Sequence, residues 1–203
     1  MRREHELEQS VIPEPVHWFP LTSDGNDNIG SLIRVSGSPT YTSDGAYFTG
    51  VSSHTLRYNN VPLSDFKTIS FDVKFSSKSG LRKMFTLFYN NTSQYGSIAG
   101  WDWGSVSPAQ FLNGDSIWHS STVVNDDWNI NEWYKITIRI TDSDTDVFVN
   151  KTYLTSLGTA YNRNYNHTLY IGGRETSGRE FYGYIRDFKM WNVALTNEQI
   201  SIL

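Results

Sequence analysis

The sequence contains no cysteine, which excludes a disulfide framework and every thiolate metal site and leaves the redox compartment open. No apolar run is long enough to span a bilayer, so membrane insertion is not expected. The first residues, from Met1 through Gln9, are charged where a secretion signal would carry an apolar core. Excess positive charge is also missing. Lys and Arg number 17 against 21 Asp and Glu, for a net charge of -4, and no basic stripe is available to displace counterions from phosphates. Nucleic acid is therefore not an expected partner. The Ala-Leu-Glu-Lys composition of helical proteins is lacking as well. What the chain does have is 7 Trp, 12 Tyr, 11 Phe and 15 Gly in 203 residues, which suits one large all-β domain.

Residues 1–16 read as an N-terminal extension: charged at first, then broken by Pro13 and Pro15. It is either a disordered tail or the end of a stalk through which copies of the chain would form a homo-oligomer. The domain is expected over 17–203. His17 to Leu21 is the first strand, and Leu32 to Val35, Ala46 to Phe48 and Thr55 to Tyr58 are short strands set off by Gly, Ser and Asp turns. Thr68 to Phe75 alternates cleanly, with Ile69, Phe71, Val73 and Phe75 on one face and Ser70, Asp72 and Lys74 on a solvated one. Trp133 to Ile140 alternates in the same way. Val147 to Leu154 reads as a hairpin turning at Asn150-Lys151. About a dozen strands with polar turns predict two antiparallel sheets in a jelly roll.

The closing stretch, residues 183–200, is the most informative. Ile185, Phe188 and Met190 can share a face only if one extra residue is accommodated, which predicts a β-bulge at Arg186-Asp187. Thr196 with Gln199 three residues on is a capping-box pattern for a short C-terminal helix carrying Ile200 and Leu203. Glycine, bulged strand with aspartate, aromatic, Ala-Leu and short helix together resemble the closing segment of the laminin G-like branch of the concanavalin A-like lectin/glucanase superfamily. Trp18-Phe19, Tyr47 to Gly50, and Trp133 to Ile136 resemble further strands of that family. The resemblance implies a concanavalin A-like jelly-roll sandwich, with Trp18, Trp133 and Trp191 as packing residues.

Three functional classes follow, and the first is favoured: a non-catalytic, lectin-like carbohydrate-binding module. It would recognise a glycan or polysaccharide at an extracellular or virion surface, as part of a phage or virion appendage or of a larger surface protein. Sugars present apolar C–H faces edged with hydroxyls, so their sites pair flat aromatics with polar side chains. Trp101, Trp103, Trp118 and Trp128 are surplus to the packing pattern and lie near His119 in the sequence. Strand spacing would set Trp101 and Trp103 on one side, roughly 7 Å apart. The second class is a polysaccharide-degrading hydrolase of the same fold. The Glu-x-Asp-x-x-Glu strand that such relatives use is absent, and Asp102 and Asp127 are the nearest substitutes. No enzyme activity is expected. The third class is a structural protein-adhesion module.

Ser23 to Gly30 is dense in side-chain oxygens, which suits either a cluster of tight turns or a hard cation. The resemblance implies one structural calcium, held by Asp187 at the bulge, by Asp27 or Asp24 of the first loop, and by the Gly50 carbonyl. Asp142, Asp144 and Asp146 form a second acidic turn, read as solvated or as another cation loop.

Overall fold

The structure is a computed structural model that describes residues 11–62, 66–77, 85–88, 97–102, 110–114, 118–122, 129–156, 158, 166–173 and 180–203, with residues 85–122 and 166–167 described by backbone alone. Its fifteen described strands pair in antiparallel fashion throughout. The larger sheet has eight strands. Seven run in the order β13 (Thr152–Ser156), β12 (Thr145–Val149), β11 (Trp133–Ile140), β6 (Thr68–Phe75), β15 (Tyr182–Trp191), β4 (Gly45–Thr49) and β3 (Thr40–Thr42); the eighth, β1 (His17–Phe19), also pairs with β15. The second layer contains β2 (Arg34–Ser36), β5 (Leu56–Pro62), β14 (Asn166–Ile171) and β7 (Phe85–Phe88). Beside β7 lies β8 (Ser97–Asp102), followed by β9 (Gln110–Gly114) and β10 (Trp118–Thr122).

The core lies between the layers, and alternation selects its members. Ile69, Phe71, Val73 and Phe75 of β6 are all at most 1% exposed, and they meet Ile136, Ile138, Ile185, Phe188, Leu56, Tyr58 and Leu169 in one cluster. The slip in β15 is the expected bulge. Asp187 has a φ of 52°, and the register against β6 shifts between Arg186 and Lys189. Here β15 also changes neighbours. Tyr182 to Ile185 pair with β4, and Phe188 to Met190 pair with β1.

The outer face of the large sheet is divided. At one end Phe148, Trp191, Leu195 and Ile200 form a second cluster with Ile12 and Leu203 against it. The helix α1 (Asn197–Ser201) carries the expected capping box, with Gln199 N–H donating to Thr196 Oγ1 at 3.2 Å and Thr196 N–H to Gln199 Oε1 at 2.9 Å. Thr68 anchors the approach to it, its hydroxyl donating to Val193 O and accepting from Leu195 N–H. Under this cover Ser70, expected to face solvent, is 2% exposed and shares a 3.0 Å bond with Thr137.

The expected extension is also partly built in. Val16 N–H donates to Met190 O, the Trp191 indole to Pro13 O, and the Gln199 amide to Val11 O. Residues 11–16 thus lie along the closing strand and helix, while residues 1–10 fall outside the described set. The first β-strand after the opening loop begins at Arg34 rather than Leu32. In the acidic turn Asp146 is paired with Arg139 at 2.8 Å and Asp144 accepts from the Ser156 hydroxyl, so both are turn and strand partners.

The β12–β13 hairpin turns at Asn150 and Lys151, whose φ values of 48° and 71° give a primed turn. Lysine tolerates the left-handed region poorly. Lys151→Gly should raise the stability by about 0.5–1 kcal/mol, read as a higher Tm with no change in circular dichroism at native temperature.

Candidate functional site

The other end of the same outer face, beyond the C-terminal cluster, carries a row of cross-strand neighbours. In register across β11, β6, β15 and β4 stand Trp133, Lys74, Tyr184 and Tyr47. All four are half-buried. The Lys74 ammonium lies 4.8 Å from the Trp133 ring centroid and 4.4 Å from that of Tyr184. Tyr184 and Tyr47 approach to 4.6 Å at 31°, and Tyr182 extends the patch 6.1 Å from Tyr47. The next row is charged. Lys135 and Arg186 both pair with Asp72, at 2.8 and 3.2 Å, and the Arg186 guanidinium lies 4.0 Å from the Trp133 ring centroid. Asp44 pairs with Lys74 at 3.1 Å.

These contacts hold flat rings in place on a rigid sheet and edge them with donors and acceptors. The hydrogen bond to Tyr182, aided by burial, pushes the Tyr47 phenol up to about 12, so it is a neutral hydroxyl at ordinary pH. The resemblance implied that Trp133 packs in the core; its place is instead outward. The signal for this was present in the sequence. Tyr134, Ile136, Ile138 and Ile140 occupy the inner phase of β11, which leaves Trp133 with Lys135 and Arg139 on the other. Trp191 is buried, at 1% exposed, yet within the outer cluster rather than between the layers. Trp18 is half-buried at the sheet edge.

Of the tryptophans expected to meet a ligand, Trp101 lies on β8 and Trp118 on β10, next to His119. Register sets Trp101 opposite Phe111, His119 opposite Asn113 and Trp118 opposite Gly114. Trp101 and His119 therefore take one phase of the pleat and Trp118 the other. Trp103 and Trp128 lie outside the described residues, as does Asp127.

The residues expected to hold calcium are placed as follows. Asp27 Oδ1 accepts from the amides of Trp18 and Gly30 at 3.1 and 3.0 Å and more weakly from Ile29; Oδ2 accepts from Leu32 N–H at 3.2 Å and meets His17 Nδ1 at 2.5 Å. A carboxylate has about four lone-pair positions, and these donors fill them. Asp24 closes a local turn by accepting from Asn26 N–H. Asp187 accepts from the Trp18 indole at 2.8 Å and is paired with Lys189. Gly50 N–H is bonded to Phe181 O, just before β15 and six residues before Asp187, and so roughly 20 Å from it at about 3.3 Å per residue. Gly50 and Asp187 cannot share an ion at that distance. Among the described residues, no group of three or more His, Asp and Glu is arranged to hold a metal. As placed, the four residues do not fit a calcium ion.

Asp27 is instead the anchor of the opening loop, its side chain 1% exposed. Burial is the largest single influence on it and works against ionisation. The bonds from His17 and from the Gly30, Trp18 and Leu32 amides together outweigh it, bringing the pKa down to about 2 from 3.8. A depressed carboxylate stabilises the fold above its unfolded value and loses that contribution as pH falls through the folded one. Between pH 4 and pH 2 the domain should lose ~2 kcal/mol through this group. Asp27→Asn should lower the Tm at neutral pH and flatten the acid limb of a stability–pH curve.

The described fold has counterparts among solved structures. The Trypanosoma rangeli sialidase aligns with a TM-score of 0.74 at 13% identity, over 95% of this chain and 32% of the sialidase. Domain 4 of a GH43 extracellular arabinanase from Geobacillus stearothermophilus, in complex with arabinotriose, aligns at 0.67 and 16% identity over 93% and 97%. The botulinum neurotoxin serotype D binding domain aligns at 0.65 and 17%, over 93% of this chain and 50% of that domain. The chain spans about a third of the sialidase it matches. At these identities the likeness is one of fold, which hydrolases and binding domains share. No curated protein sequence matches significantly. The sequence pattern of the concanavalin A-like lectin/glucanases superfamily matches residues 44–201, and the chain belongs to that superfamily.

Proposed function

We propose that the domain is a non-catalytic carbohydrate-binding module that takes its glycan on the open end of the large sheet's outer face. The observation that carries this reading is the row Trp133, Lys74, Tyr184 and Tyr47, which no described helix covers, where the other half of the same face is sealed by the C-terminal helix. Half-buried rings on adjacent strands offer stacking area to the C–H faces of a sugar chain. Lys135, Arg186 and Asp72 at their edge offer hydrogen bonds to hydroxyls. The arabinotriose complex of the arabinanase domain supports carbohydrate as the ligand class for this fold. Non-catalytic action is supported by Asp44 and Asp72, the described carboxylates paired with these rows, each of which is bound to lysine or arginine. The Trp101 and His119 phase of β8 to β10 is the alternative place for the same activity.

The test is a glycan array followed by calorimetry on the best ligand. Trp133→Ala and Tyr47→Ala should each weaken binding roughly tenfold, from ~1–1.5 kcal/mol per aromatic contact, with the fold retained and Tm lower by a few degrees, while Trp101→Ala retains affinity. Loss confined to Trp101→Ala would move the site to the second layer, and no ligand on the array would reject the reading. Incubation with the same polysaccharides should release no reducing sugar. Turnover removed by Asp72→Asn would make the domain a hydrolase.

A further inference from the structure

The two ends of the domain meet at Trp18. Its backbone N–H donates to Asp27 and its indole N–H to Asp187 Oδ1. Directly across the β1–β15 pair stands Lys189, whose ammonium reaches both oxygens of Asp187, at 2.9 and 3.0 Å, and lies 5.4 Å from the Trp18 ring centroid. Asp187 itself is held by its N–H to Pro20 O at the bulge. The Asp187 carboxylate therefore has a charge partner and a neutral donor in place. Asp27, the other acidic member of the junction, has its lone pairs filled by amides and His17.

We propose that this domain joins its opening loop to its closing strand without a divalent cation, the Lys189 ammonium supplying beside Asp187 the positive charge that a metal ion would bring. A calcium ion needs six to eight oxygens. Here it would have to displace Lys189 from Asp187, then take oxygens from Asp27 that four backbone amides already occupy. Moving those amides off Asp27 would leave them without acceptors next to a side chain that is 1% exposed, where unpaired donors are costly. A lysine one turn of the pleat beyond the bulge has no such requirement. Asp187 and Lys189 stand two residues apart and so share the outer side of β15, in the phase that the slip after Arg186 sets.

The experiment is thermal unfolding of the wild type and of Asp187→Asn, Lys189→Gln and the double variant, each in millimolar calcium and in chelator. The wild type should melt at one temperature in both. The single variants should each melt a few degrees lower, again alike in both media, and the double variant no lower than the weaker single, since the two residues act as a pair. A wild-type Tm that rises in calcium and no longer does so in Asp187→Asn would overturn the proposal. So would single-variant losses that simply add. A calcium effect that persists in Asp187→Asn would put the ion elsewhere and leave this junction metal-free.

Discussion

A single residue in the left-handed region, Asp187, governs how the large sheet is assembled. A regular ten-residue strand would present one unbroken edge to one neighbour. The bulge at Asp187 breaks that edge in two, so that β4 pairs before it and β1 after it. It also resets the side-chain phase, which keeps Ile185 on the inner face before it and Phe188 and Met190 there beyond it. Without the extra residue the apolar members of one half would point to solvent. The first strand would also lose its place. The contacts through Trp18 then fix the opening loop, because its backbone and its indole address two different carboxylates.

The second organising constraint is that the outer face of the large sheet is too long for one short helix to cover. The C-terminal segment seals the half that bears Thr68, Ser70, Thr137 and Trp191, drawing residues 11–16 in beside it. Arg139 helps to hold that cover, bonded to Asp146 and also to Leu195 O and Asn197. In the other half the described side chains are aromatic and charged in alternate rows. Rings that need partial burial find it against lysine and arginine stems, an arrangement in which apolar methylenes are covered and charged heads stay wet. The same row thus stabilises the sheet and presents a flat amphipathic surface.

No described helix is long and apolar enough to cross a membrane. The fold's relatives by structure include parts of two glycosidases and the binding domain of a toxin, so the chemistry of this domain rests on its own side chains rather than on its architecture.

Features that depend on near neighbours in the chain were legible in the sequence. Period-two alternation identified the inner faces of β6 and β11, the phase slip located the bulge, and Thr196 with Gln199 marked the helix start, because each is set by backbone geometry over a few residues. Alternation says which face a side chain takes, however, and not what covers that face. Ser70 and Lys74 share a phase of one strand. One is sealed beneath the C-terminal segment and the other lies between Trp133 and Tyr184, a difference made by elements more than a hundred residues away. The acidic residues divide in the same way. Composition marked the opening loop as rich in oxygens, but whether those oxygens were free for a cation depended on where the loop's own amides and His17 came to rest. Folding brought them onto Asp27, and it brought the Trp18 indole onto Asp187 across a strand pair whose partners are some 170 residues apart. Lone pairs are filled by whatever donor arrives in space, and only the tertiary structure decides which donor that is.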